Sequence, residues 1–218
     1  LDAAPAATLP GKLVQVLWRR FQAGAPPVLV LPCELIERNA DKLLALIVEQ
    51  SQRWLLPADF ARWLVDDCTW LNTLVDCIVT RAPEDHPLVC DDPGAVCAEP
   101  YALWAIERRP GRSVPALEHP AVRLVDDLAP YYLRKVRILN GTHSAMVGQF
   151  GTTQFPTVID VLRDRTALRW VRDLVYEEIV PTLAARVEGV AAFADDTFDR
   201  LRNPFLQHRL SDIALNHV

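Results

Sequence analysis

The stretch VDDLAPYYLRKVRILNGTHSAMV, residues 125–147, holds the most decisive pattern in the chain. Asp127 can cap a helix that runs through Phe150, with Pro130 inside the first turn, where a missing N–H is harmless. At about 100° per residue, Asn140 lies about 140° and His143 about 80° round from Lys135, so the three share one side. Leu139 and Met146 fall on the same arc, which makes it a partly apolar wall. A lysine there loses part of its preference for the charged form and can exchange protons near neutrality. An asparagine amide can donate to a developing alkoxide, and a histidine can bond a neighbouring hydroxyl or orient the lysine. Asn140-Gly141 weakens the middle of a helix, and Gly141 leaves room for close approach to the backbone. On helix patterning alone, a solvated polar face is the commoner explanation of such residues.

Upstream, residues 11–23 place Leu13, Leu17, Trp18 and Phe21 at helical spacing before Gly24 and Pro26-Pro27. Val28–Leu31 reads as a buried parallel strand. Cys33 and Glu34 lie just past its end, where open α/β sheets place ligands. Asn39 can cap a helix over 41–54, a second helix runs from about Ala58 to Trp70, and NTLVDCIV follows at 72–79. Residues 83–100, with four prolines, read as an interdomain connection. Residues 101–107 and 121–125 then read as two strands joined by the turn-rich RRPGRSVPALEHP, a hairpin. Downstream of residue 150, helices are expected at about 157–163, 166–189 (kinked at Pro181) and 203–216. The expected fold is mainly α. A helical C-terminal substrate domain with a small two-stranded element, residues 83–218, is preceded by the α/β tail end of a Rossmann-like domain, residues 1–82.

Composition excludes several classes. A net charge of -5 argues against a nucleic-acid partner. No apolar run is long enough to span a bilayer, and residues 1–10 show no secretory signal. Five irregularly spaced cysteines suit a reduced, cytoplasmic setting. His86, Cys90 and Cys97 lack the spacing of a zinc site, so no metal is expected. The six tryptophans read as core, His119 as structural, and the pairs Asp66-Asp67 and Asp195-Asp196 as caps. Glu99 and Glu107 read as solvent-facing strand ends.

The spacing Lys135-x4-Asn140-x2-His143 resembles the signature of the mannitol dehydrogenase family of polyol-specific long-chain dehydrogenases. The resemblance extends to DAAPAATLPGKLVQVLWRRF (2–21), LPCELIERNADKL (31–43), NTLVDCIV (72–79) and RLRNPFLQHRLSDIALN (200–216), leaving only 82–118 weakly matched. It implies an NAD-dependent enzyme acting without a metal on a small sugar substrate. Lys135 would be the general acid/base, Asn140 would stabilise the oxygen, and His143 would bond substrate hydroxyls or the lysine. It further implies that Val75 and Asp76 line the site and that Arg202, Asn203 and His208 face the substrate. The Pro-Cys-Glu-Leu-Ile form at 32–36 points to the branch that reduces the keto-hexuronate tagaturonate to altronate; fructuronate or a neutral polyol is the alternative. An arginine suits a sugar acid because its planar fork binds a carboxylate twice. Arg202 is preferred over Arg200, with the choice open. Two positions depart from the family pattern: Cys77 stands where an arginine is usual, and Glu34-Leu35 where related branches have Asp-Asn.

None of the eight glycines forms a Gly-x-Gly-x-x-Gly turn, which a dinucleotide site needs to seat phosphates on a helix N-terminus. Both ends of the sequence read as cut, so the expectation is part of a longer polypeptide that would bind NAD poorly alone. A non-catalytic helical module is the competing class.

Overall fold

A computed structural model describes residues 4–114 and 117–215. In chain order, α1 (Leu9–Gln22), β1 (Leu29–Val30), α2 (Asn39–Arg53) and α3 (Ala58–Arg62) lead through a π turn to β2 (Thr69–Trp70) and β3 (Thr73–Asp76). There follow β4 (Val79–Arg81), α4 (Pro87–Asp91), β5 (Val96–Ala98), β6 (Leu103–Glu107) and β7 (Val122–Val125). The remainder is helical: α5 (Ala129–Arg134), α6 (Gly141–Phe150), α7 (Val158–Arg163), α8 (Arg165–Asp173), α9 (Val180–Ala184), α10 (Val190–Leu201) and α11 (Leu210–Ala214). The chain forms two compact units. One comprises the chain up to Val75 together with Trp104–Leu128, the other Asp76–Leu103 together with the chain from Ala129 onward.

In the first unit, the Thr8 hydroxyl caps α1 and Pro10 occupies its first turn. The apolar stripe of α1 packs with α2, α3 and the following turn, and its core is aromatic. Phe60, wholly buried, sits edge-on to Trp18 at 5.2 Å and stacks on Trp63 at 6.1 Å. Burying one such ring is worth about 1.5–3 kcal/mol. Strands β1 and β2 pair in parallel, as expected of a Rossmann-like piece. Asn39 does not cap α2 from outside: it is the first helical residue, and Arg38, in the left-handed region, holds the cap position. The Asn39 amide ties the end of β1 to β3 instead, donating to the carbonyls of Pro32, Glu34 and Thr73 at 2.9–3.0 Å.

Residues 101–107 and 121–125 do form strands, but not a hairpin. Strands β6 and β7 run parallel, Trp104 opposite Val122 and Glu107 opposite Val125, and join β3 in the order β3-β6-β7. A parallel pair needs a connection of about a dozen residues or more to return the chain to the same end. The proline-interrupted segment 108–121 provides it; Pro115 and Ala116 lie outside the described residues. The segment from Trp104 to Leu128 therefore groups with the first unit. The small two-stranded element of the helical unit is the antiparallel pair β4–β5, whose second strand lies in a stretch read as connection.

The second unit packs Ile138, Met146, Val161, Val171, Val175 and Phe198 into one core. Its longest helical run has α-helical ends and a π turn at Lys135–Asn140. A second π turn, Leu174–Ile179, precedes Pro181 and admits its ring and missing N–H without ending the run. Two expectations fail here. Residues 190–201 form a helix that was not anticipated, with Asp195 and Asp196 inside it instead of at a cap. The helix expected over 203–216 shrinks to Leu210–Ala214, because Asn203-Pro204 turns the chain and Asn203 Oδ1 accepts the Phe205 N–H. Asn216 itself lies outside the described residues.

Candidate active site

The π turn changes how the central motif is presented. A π turn closes i→i+5 hydrogen bonds, so residue i+5 comes to lie nearly beneath residue i. Asn140, far round an ideal α-helix from Lys135, is thus brought to the same side one turn away. The Gly141 N–H bonds the Val136 carbonyl, which continues the widened turn into α6. His143, three residues on, follows Asn140 along that face. Ile138, Leu139 and Met146 are buried, anchoring the helix to the core. Gly141 has ordinary helical torsions, and a Cβ there would meet nothing closer than 3.6 Å. No neighbouring atom of the chain therefore requires a glycine at this position.

Lys135 is partly buried, and desolvation pulls its pKa below the usual lysine value. The Asp76 carboxylate opposes that shift and the Arg200 guanidinium adds to it. Burial holds the His143 imidazole neutral, with a pKa lowered to about 3, assisted by His208 and Arg200. Its ring meets His208 edge-on at 4.4 Å between centroids. His143 Nε2 is buried and has no hydrogen-bond partner among the described residues. An unsatisfied buried polar atom costs about 1–3 kcal/mol, which a ligand hydroxyl could relieve. The His208 pKa is also lowered, chiefly by burial.

Beside these groups stands an ion cluster that sequence reasoning missed. Arg200 on α10 is gripped by two buried carboxylates. Its Nη2 donates to Asp76 Oδ1 at 2.8 Å and to Glu99 Oε1 at 2.7 Å, its Nη1 to Asp76 Oδ2 at 3.2 Å, and its Nε to Glu99 Oε2 at 3.0 Å. The three side chains are 9%, 2% and 2% exposed. Tyr101 covers the guanidinium at 4.2 Å from its ring centroid. Glu99 Oε1 also accepts the Ile78 N–H at 2.5 Å, tying β4 to the end of β5. Glu99 is therefore no solvent-facing strand end. Glu107 departs from that expectation too, accepting from the Asn72 amide at 3.0 Å. Arg200 falls in line with Phe193, seven residues earlier and buried; that signal becomes visible once 190–201 is read as a helix.

The structure brings Lys135, Asp76, His143 and His208 into one neighbourhood with Arg200. Asn140 shares the motif helix, and Val75 precedes Asp76 on β3. Arg202 is not brought there. Two residues beyond Arg200 on a helix, it points about 160° away; its guanidinium lies 5.8 Å from the Phe198 ring and only loosely, at 3.6 Å, beside Asp199. Asn203 closes the turn after α10. Cys33 and Glu34 are exposed in the loop after β1, within the first unit. Among the described residues no three His, Cys, Asp or Glu side chains converge as metal ligands would. No helix among them is long and apolar enough to cross a membrane.

Two family models match the chain on either side of about residue 120, so Asp76–Leu103, which groups with the second unit, falls within the first match. The mannitol dehydrogenase Rossmann domain matches residues 3–118 and the mannitol dehydrogenase C-terminal domain residues 127–218. Altronate oxidoreductase of Bacillus subtilis (strain 168) is 36% identical over 231 residues, spanning 100% of this chain and 48% of that protein. That of Yersinia pestis bv. Antiqua (strain Nepal516) is 37% identical over 98% of this chain and 47% of that protein. The chain thus spans about half the length of the curated relatives it matches. Among solved structures, the Pseudomonas fluorescens mannitol 2-dehydrogenase ternary complex with NAD and D-mannitol superposes with a TM-score of 0.80 at 24% identity, covering 95% of this chain and 43% of that one. A D-sorbitol dehydrogenase in substrate-free form gives 0.77 at 22% identity, covering 95% and 44%. Identities this low speak for the fold alone. With family matches over both of its parts, the chain belongs to the mannitol dehydrogenase family.

Proposed function

We propose that the protein carrying this chain is an NAD-dependent oxidoreductase that reduces a keto-hexuronate, tagaturonate, to the corresponding aldonate, altronate. The observation that carries this reading is a partly buried lysine of lowered pKa beside a buried carboxylate–guanidinium cluster and an unsatisfied buried imidazole. The altronate oxidoreductase relatives supply the substrate class.

The cofactor would supply a hydride to the ketone carbon. This chain's residues do not fit the whole dinucleotide. The part matching the Rossmann domain holds no glycine-rich turn to cradle phosphates. The exposed Cys33 and Glu34 are proposed only as an edge of its site.

In our reading, the chain acts on the substrate oxygen. Lys135 Nζ, charged in the reduction direction, donates a proton to the alkoxide and accepts it back in oxidation. Its lowered pKa suits that exchange. The Asn140 amide donates to the oxygen as charge develops. His143 Nε2 pairs with a neighbouring hydroxyl, and His208 packs against it. Asp76, with Val75 beside it, keeps Lys135 charged often enough to act as an acid. A metal has no role in this scheme.

A second reading is favoured by one observation. Arg202 faces away from the cluster and Arg200 is already occupied, which leaves the substrate carboxylate without the expected partner. A neutral ketose would not need one. The test is NADH oxidation by the full-length protein offered tagaturonate, fructuronate and fructose in parallel, with a chelator present. Preference for tagaturonate supports the first reading and preference for fructose the second. No turnover with any of them overturns both.

A further inference from the structure

The segment after β6 reads Arg108-Arg109-Pro110-Gly111-Arg112, and its chemistry sets where the arginines go. Proline followed by glycine favours a tight four-residue turn. The turn forms: the Arg112 N–H bonds the Arg109 carbonyl at 3.1 Å, and Gly111 takes a φ of 74°, in the left-handed region. Such a turn holds its first and last Cα atoms within about 7 Å, so Arg109 and Arg112 stand side by side. Arg108 is tied to the sheet, its N–H bonding the Val125 carbonyl at 2.7 Å. All three follow the C-terminal end of β6, level with the end of its parallel neighbour β7. Open α/β sheets bind ligands at that edge.

Together with Val114, Leu124 and Asp126 they line a hollow of about 470 Å³, a size usual for small-molecule sites. Three arginines meet one aspartate there, in a chain whose net charge is -5. The nearby acids do not neutralise them. Asp126 holds Arg108 at 3.0 Å in an exposed pair, which contributes little and can be exchanged for a ligand. In the adjoining hollow, which shares Arg108 and Arg109, Asp41 pairs with Arg38 at 2.6 Å and the Asn72 amide bonds both Asp41 and Glu107. The Arg109 guanidinium has no hydrogen-bond or ion-pair partner among the described residues. Arg112 is anchored: its Nη2 donates to the carbonyls of Val65 and Asp66 at 3.3 and 2.5 Å. That fixes the group and leaves Nη1 and Nε without an acceptor among the described residues.

We propose that this hollow binds a small-molecule phosphate other than the dinucleotide. Phosphate suits it better than a carboxylate does, because its terminal oxygens can take forks arriving from separate positions, whereas the plane of a carboxylate matches one. Val114 and Leu124 offer an apolar wall to the organic part. The inference is independent of the reading of Lys135.

The experiment is calorimetric titration of inorganic pyrophosphate, and separately of citrate, into the full-length protein saturated with NADH, so that the dinucleotide's own phosphate contacts are filled. Wild type, Arg109→Ala and Arg123→Ala are compared; Arg123 is exposed on β7 and lies outside the hollow. Wild type should bind pyrophosphate with an affinity that falls as salt rises. Arg109→Ala should bind it roughly tenfold more weakly or worse, from the loss of charge-assisted bonds, and should melt at the wild-type temperature because its guanidinium bonds nothing in the fold. Arg123→Ala should bind as wild type does. No binding to wild type, or equal weakening in the two variants, overturns the site. Tighter binding of citrate than of pyrophosphate overturns the assignment to phosphate.

Discussion

The two units bury polar groups in opposite ways. In the first, the buried Asn39, Ser51, Asn72 and Thr73 are uncharged and hydrogen-bonded. Asn39 Oδ1 accepts from Ala40 and Thr73 while its amide donates to three carbonyls. Asn72 Oδ1 accepts the Ala40 and Asp41 N–H groups, and its amide bonds Asp41 and Glu107. These knots join strand ends to a helix around an aromatic core. The second unit buries ionisable groups, Asp76, Glu99, Arg200 and His143, beside the threonines Thr80, Thr142 and Thr197. One of them, His143, keeps an unsatisfied nitrogen. A satisfied neutral knot serves the fold, whereas perturbed charges and an open bond have a use only when something binds.

That contrast can be broken by substitution. The largest effect on stability is expected at Arg200. Arg200→Ala strands two buried carboxylates, which should destabilise by about 3–5 kcal/mol and abolish turnover in whatever protein folds. Phe60→Ala in the first unit should destabilise by a similar ~3–5 kcal/mol through cavity formation. It should leave the pH profile of the surviving enzyme unchanged. Denaturant titration beside steady-state kinetics checks both, and full turnover in folded Arg200→Ala would erase the distinction between the units.

A middle-sized effect concerns acid. The His143 pKa is depressed to about 3 in the folded chain, against roughly 6.5 when unfolded. The unfolded chain therefore binds the extra proton first. Stability from this group is full above pH ~6.5 and is lost as pH falls toward the folded value, by up to about 1.4 kcal/mol per unit. His143→Gln should flatten that part of the stability–pH curve, as thermal melts across the range would show. An unaltered slope would mean that the imidazole is not buried neutral.

The smallest effect is expected at Gly141. With helical torsions and no close contact for a Cβ, Gly141→Ala should stabilise by up to about 1 kcal/mol without altering turnover. A marked loss of activity would show that close approach to this backbone matters after all.

Much of this arrangement could be read from local pattern. The helices α1, α2, α7 and the long run carrying Lys135 follow from apolar spacing and from breakers such as Gly24. The buried strand ending before Cys33 was equally legible. What escaped was set by distance along the chain. Asp76, Glu99 and Arg200 meet across separations of 101 and 124 residues, and no local periodicity records such a meeting. Glu99 looked exposed because charged strand ends usually are. Residues 190–201 escaped as a helix because Asp195-Asp196 resembles a cap, although Tyr176 bonds Asp195 from a neighbouring element. The π turn at Lys135 is likewise silent in the sequence, since one extra residue per turn leaves no compositional mark. The parallel pairing of β6 and β7 within the three-stranded sheet is not recorded by the turn residues that suggested a hairpin.

The most direct test of the account is turnover of the keto-sugar substrate by Lys135→Ala in the full-length protein, with NADH affinity measured on the same sample. Loss of the acid/base should lower kcat by about 10²–10⁴ while cofactor affinity and thermal stability stay near wild type. A rate within about twofold of wild type, far outside that range, would contradict the assignment of Lys135 and the chemistry built around it.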